Sequence, residues 1–190
     1  MLIANALAFS QGTLIYDQES VNSDSAGSGP PGDIQAYEPM GQSFTPALSS
    51  VGFISVYIRD ENPGNSLGAT VHLDLWANSI GGTSLGATEP ISMPDGYGDT
   101  DNEGVTYFYF LMPIPVIAGG TYYFQPVVEP GSDAWEISAY NFGYAGGQAF
   151  FKGVPSPDSD LWFREGIVVP EPSAAWLVLL GGGLFFVFTS

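Results

Sequence analysis

The chain has no cysteine, a single histidine and only three basic residues, and each shortage closes off chemistry. Without cysteine there is no disulfide, no thiol nucleophile and no thiolate metal site, so stability has to come from packing. With His72 as the lone imidazole, a zinc or hydrolytic metal centre is short of ligands, and any serine nucleophile has to use His72 as its base. No Gly-x-Ser-x-Gly motif accompanies it. Arg59, Lys152 and Arg164 stand against 20 acidic residues, a formal net charge of −17. A surface of that sign repels phosphate backbones and so excludes nucleic acid as a partner; it also suits export and attracts divalent cations. Helix-period patterning is absent before Ala174.

What is present points to an all-β body. Aromatic residues at 14% and a hydrophobic fraction of 45% supply a core, while 25 glycines and 15 prolines supply turns. Period-two alternation is clear in Val51 to Arg59, where Gly52, Ile54, Val56 and Ile58 oppose Phe53, Ser55, Tyr57 and Arg59, and it predicts a half-buried strand. Ala69 to Asn78 repeats the pattern, with Val71, Leu73 and Leu75 inward and His72, Asp74 and Trp76 outward. Further strands are expected at Gly12 to Asp17, Gln42 to Thr45, Ser84 to Met93, Val105 to Met112, Thr121 to Val128, Trp135 to Tyr140, Gln148 to Lys152 and from Asp160 onward. Val21 to Met40 is rich in Gly, Ser and Pro and reads as a long surface loop. Trp135 and Trp162 are assigned to core or corner positions. The expected fold is a single antiparallel β-sandwich, jelly-roll-like, followed by a C-terminal hydrophobic helix.

The two ends read differently from the body. Residues 1–9 are apolar and small, with Ala4-Asn5-Ala6 and Ala6-Leu7-Ala8 matching the small-x-small pattern of a cleavage site; this stretch is either the remnant of a signal peptide or the first strand. The sandwich domain occupies 10–168. Residues 169–173, Val169-Pro170-Glu171-Pro172-Ser173, form a stiff spacer, because each proline fixes φ and removes a donor. Residues 174–190 follow, and Ala174 to Phe188 contains no charged or polar side chain. A run apolar on every face wants lipid or a deep core, and its three central glycines are tolerated in a membrane helix.

Val169 to Phe188, a Pro-Glu-Pro spacer joined to a glycine-interrupted apolar run, resembles the PEP-CTERM sorting signal of exosortase-processed bacterial proteins. That signal normally closes with a basic cluster, which is expected beyond Ser190. The body is similar to β-sandwich domains that accompany such signals, on Tyr16-Asp17-Gln18, Gln42-Ser43-Phe44-Thr45, Gly120-Thr121-Tyr122-Tyr123-Phe124-Gln125-Pro126 and Asp160-Leu161-Trp162-Phe163-Arg164. The resemblance implies a non-enzymatic exported protein. It would pass through an inner-membrane intermediate, held by the C-terminal segment, and be sorted to the cell surface or extracellular matrix by an exosortase-type enzyme at Val169, Pro170, Glu171 and Pro172. Exopolysaccharide in a biofilm is the implied surrounding.

Two stretches carry the residue types of a binding site. Asp99, Asp101 and Glu103, followed by Gly104, repeat the first half of an EF-hand-type loop, with oxygen ligands at alternate positions and a glycine for the turn, and so are candidate Ca2+ ligands. The second half is lacking, since Phe110 stands where a bidentate Glu belongs. The same residues also suit an ordinary solvated turn. His72, Asp74 and Trp76 share one strand face, where an indole can receive the apolar face of a sugar and the two polar side chains its hydroxyls. These make a carbohydrate- or calcium-dependent binding module the alternative reading, with a glycan-acting enzyme third; no catalytic residue and no obligatory cofactor is assigned.

Overall fold

The computed structural model describes residues 12–21, 31–99, 104–131 and 133–171. Fourteen strands and no helix occur among them: β1 (Gly12–Ser20), β2 (Pro31–Asp33), β3 (Gly41–Phe44), β4 (Ser50–Asp60), β5 (Ala69–Ala77), β6 (Thr83–Ala87), β7 (Ile91–Met93), β8 (Val105–Pro115), β9 (Tyr122–Val128), β10 (Trp135–Tyr140), β11 (Ala149–Phe151), β12 (Val154–Ser156), β13 (Asp160–Leu161) and β14 (Phe163–Pro170). They build two antiparallel sheets. The first runs β1-β14-β4-β10-β13, with β2 on β10 and β8 on β4; the second runs β12-β11-β3-β9-β5-β6, with β7 on β5. Residues Tyr16–Ile167 form one compact unit. Of the second unit only Gly12–Ile15 and Val168–Glu171 are described, and there the strands approach so closely that a Cβ on Gly12 would lie 2.7 Å from the carbonyl oxygen of Val169.

Alternation explains the core. Val71, Leu73 and Leu75 of β5 are fully buried, as the period of two requires for one face of a strand. Phe44 of β3 and Phe124 of β9 meet Phe163 of β14 at centroid distances of 6.2 and 5.3 Å, so aromatic rings from both sheets interlock. Each such ring leaving water contributes about 1.5–3 kcal/mol. Trp135 and Trp162 are fully buried, in agreement with their assignment. The turn between β5 and β6 uses Gly81 at a φ of 68°, where a side chain would be strained.

Four expectations need correction. β4 is buried on both faces, because Phe53 is covered by Tyr16, Tyr107 and Tyr109, and Tyr57 packs with Trp162. The segment Val21 to Met40 is not all surface loop, since β2 pairs with β10, and Ile34 and Met40 enter the core. Ser84 to Met93 divides into β6 and β7, which pair with different parts of β5. The last strand begins after a break at Trp162, and β12 was not expected at all. Residues 1–9, Pro172 and the C-terminal helix expected within 174–190 lie outside the described residues.

Candidate functional site

Strand β5 presents His72, Asp74 and Trp76 on the outer face of the second sheet, as expected. His72 is held between two carboxylates: Nδ1 lies 3.2 Å from Glu129 Oε1, and Nε2 lies 3.6 Å from Asp74 Oδ1. Burial raises the carboxyl pKa of Asp74, and the neighbouring imidazole pulls it back down. Antiparallel register sets His72 opposite Val127, Asp74 opposite Gln125 and Trp76 opposite Tyr123 on β9. Tyr123 in turn takes Phe150 of β11 edge to face at 5.6 Å. The face therefore combines aromatic rings with a carboxylate, an amide and an imidazole. Trp76 Nε1 is buried without a partner among the described residues, so the ring, and not its N–H, is what this face can offer a ligand.

The acidic loop is only partly described. Asp99 is exposed at the end of a turn whose backbone closes by Asp99 N–H donating to Gly96 O at 3.3 Å. Asp101 and Glu103 lie outside the described residues. The adjacent Asp95 has a different task. Its carboxylate accepts the Gly64 N–H at 2.7 Å and the Ser66 N–H at 2.9 Å, clamping the turn before β5, and these bonds lower its pKa. Among the described residues no group of three or more His, Asp or Glu side chains is placed to hold a metal ion. At the other end, Val169, Pro170 and Glu171 are exposed, with β14 ending at Pro170, whose ring offers no N–H to continue a ladder.

A polar cluster that sequence reading did not single out lies between the sheets. Glu165 of β14 shares a face with Phe163 by alternation and is 0% exposed. Both its oxygens are buried and, apart from the carboxyl of Asp17, no hydrogen-bond partner reaches them among the described residues. They face another carboxyl, that of Asp17 on β1; burial and this like charge push the Glu165 pKa up to about 9. Asp17 Oδ2 accepts the N–H groups of Ala47 and Leu48 at 2.7 and 2.8 Å. Tyr144 stands beside the pair, its ring edge-on to Phe163 at 5.2 Å, its hydroxyl donating to Gln18 Oε1 at 3.2 Å and accepting from Thr45 N–H. Burial pushes its phenol up to about 12. Asp160, raised by burial too, completes the network by accepting from the Tyr144 backbone N–H and Gln42 Nε2. The available signal was a charged residue on the apolar face of Phe163-Arg164-Glu165-Gly166-Ile167.

No family model matches the chain, and no curated protein matches it significantly. Any functional reading therefore stands on the residues themselves.

Proposed function

We propose that this chain is a non-enzymatic exported protein, a jelly-roll-like sandwich closed by a C-terminal hydrophobic helix and sorted to the cell surface or extracellular matrix by an exosortase-type enzyme. The observation that carries the reading is the junction after β14. The strand stops at Pro170, and Val169, Pro170 and Glu171 are exposed to a processing enzyme immediately before the uncharged run Ala174 to Phe188. A stiff, accessible spacer in front of a membrane-seeking segment is what cleavage at a bilayer surface needs. The test replaces Glu171 and Pro172 with Ala in a host that carries the sorting enzyme. Loss of processing, with the chain accumulating in the inner membrane, supports the proposal; unchanged release removes its basis.

A second reading, a carbohydrate-binding module, is favoured by the face on β5 and β9. Register brings Trp76, Tyr123, Asp74, Gln125 and His72 together there, an aromatic surface with hydrogen-bonding neighbours. Retardation in affinity gels containing acidic or neutral polysaccharides tests it. Trp76→Ala should abolish the retardation while leaving the fold intact by circular dichroism; equal mobility of variant and parent in every gel discards this face as a site.

A further inference from the structure

The two ends of the compact unit Tyr16–Ile167 differ in charge. At one end lie Asp60, Glu61, Asp95, Asp99, Glu129 and Asp133, on loops tied together by Asp60 N–H donating to Tyr97 O, Glu61 N–H to Ala134 O and Glu129 N–H to Thr70 O. At the other end β3 stops at Phe44 opposite Tyr122, where β9 begins, β5 stops at Ala77 opposite the same residue, and β4 starts at Ser50 opposite Pro115. The segments that meet here, 42–51, 76–85 and 105–121, contain no charged residue. Two features give this end apolar tips. Opposite Gly52 the ladder is broken, since Val51 pairs with Ile114 and Phe53 with Tyr109, and β8 bulges to leave Leu111 and Met112 63% and 74% exposed. After β8 a turn is held to the connection between β3 and β4, Val116 N–H donating to Ser49 O at 3.0 Å and Gly119 N–H to Pro46 O at 2.8 Å, and it leaves Ile117 76% exposed. Ile117 and Met112 are the most exposed large apolar side chains among the described residues. Two acids border the patch: Asp17, whose carboxylate accepts the N–H groups of Ala47 and Leu48, and Glu89, whose N–H donates to Tyr109 O.

We propose that this uncharged end is a membrane contact, with Ile117 and Met112 entering the headgroup boundary of the bilayer that holds the C-terminal run. The inference rests on the reading of Ala174 to Phe188 as a membrane segment. The direction of the chain decides the occupant. β14 runs antiparallel to β4, with Phe163 opposite Val56 and Gly166 opposite Phe53, so the compact unit ends at Ile167 toward the Ser50 end. From Ile167 to Ala174 the chain spans at most about 25 Å. The acidic end lies a strand's length farther, about 35 Å along the 11 residues of β4. With the run in lipid, the end that comes to the bilayer is therefore the one without charge. Electrostatics act in the same direction: a chain of net charge −17 is repelled by anionic lipid, and this end is where the repulsion is weakest. Protruding apolar tips suit insertion into a fluid headgroup region. A second copy of the chain would instead need a broad complementary surface and would bring two strongly acidic molecules together.

Because the chain lacks cysteine, a single introduced thiol can be labelled alone. The test places an environment-sensitive fluorophore on Ile117→Cys, on Asn62→Cys at the acidic end and on Leu180→Cys in the run. Each full chain is reconstituted into phosphatidylcholine vesicles with and without nitroxide-bearing lipid. The Ile117 and Leu180 labels should shift to the blue and lose most of their emission to the nitroxide, while the Asn62 label keeps its aqueous spectrum. Adding Leu111→Asp and Met112→Asp to the Ile117→Cys chain should restore most of the lost emission. A Leu180 label in lipid beside an Ile117 label in water overturns the contact and leaves the membrane reading of the run intact. The reverse result upholds the contact and removes the run from the membrane, and both labels in water end both readings. An Ile117 label that is shielded but not quenched by nitroxide marks contact between copies and overturns the proposal, as does an Asn62 label quenched to the same degree.

Discussion

Replacing the buried carboxyl of Glu165 by an amide should make the protein more stable at neutral pH. Glu165 has an ordinary carboxyl value of 4.5, and burial together with Asp17 pushes it up to about 9 in the folded chain. Between those two values the folded state holds a proton that the unfolded state has released. Stability from this group is therefore complete below about pH 4.5 and is lost progressively as pH rises toward 9. At about 1.4 kcal/mol per pH unit, keeping Glu165 protonated at pH 7 costs roughly 3 kcal/mol. Glu165→Gln keeps the shape and a hydrogen-bonding amide but has no proton to hold, so it should recover most of that cost at pH 7 and little at pH 5. Asp160, Asp74 and Glu61 are also raised by burial and impose slopes of the same sign, so the quantity to read is the difference between variant and parent. Urea melts at pH 5, 7 and 8.5 measure it. A variant less stable than its parent by the same amount at every pH would mean that Glu165 is ionised and partnered in the fold, and the argument would fail.

Two further perturbations test the packing. A methyl group on Gly147 would collide with the carbonyl oxygen of Ser43, so Gly147→Ala should cost about 1–3 kcal/mol in chemical denaturation, through displacement of the β11 side of the second sheet. Phe163→Ala removes the ring that Phe44, Phe124 and Tyr144 all touch, and a loss of about 3–5 kcal/mol is expected. A loss under 1 kcal/mol would show that these sheets do not interlock as described.

The parts of the fold legible in the sequence were those whose cause is local. Val71, Leu73 and Leu75 could be assigned inward because their neighbours His72 and Asp74 are polar, giving the strand one apolar face. β4 misled for the opposite reason. Alternation predicted that only one of its faces is buried, yet Phe53 and Tyr57, on the face opposite Ile54 and Val56, are covered by Tyr16, Tyr107, Tyr109 and Trp162 from elsewhere in the chain. Ile34 was hidden inside a polar segment, and its burial follows from a hydrogen bond donated by its N–H to Trp135 O at 2.8 Å, again a distant partner. The outer row of β5 was readable as a face, but Glu129, the second carboxylate on His72, comes from the end of β9. Glu165 was marked by its own alternation, whereas Asp17, which gives it meaning, belongs to the first strand.

The central claim is export followed by processing at the end of β14. Intact-mass analysis measures this most directly, on protein recovered from the envelope and medium of an exosortase-bearing host that expresses the gene from its native start to its native stop codon. The account predicts a released species that ends near Pro172 and lacks the apolar run Ala174 to Phe188. A full-length mass confined to the cytoplasm would contradict it, and the terminal segment would then have to be assigned to the folded core.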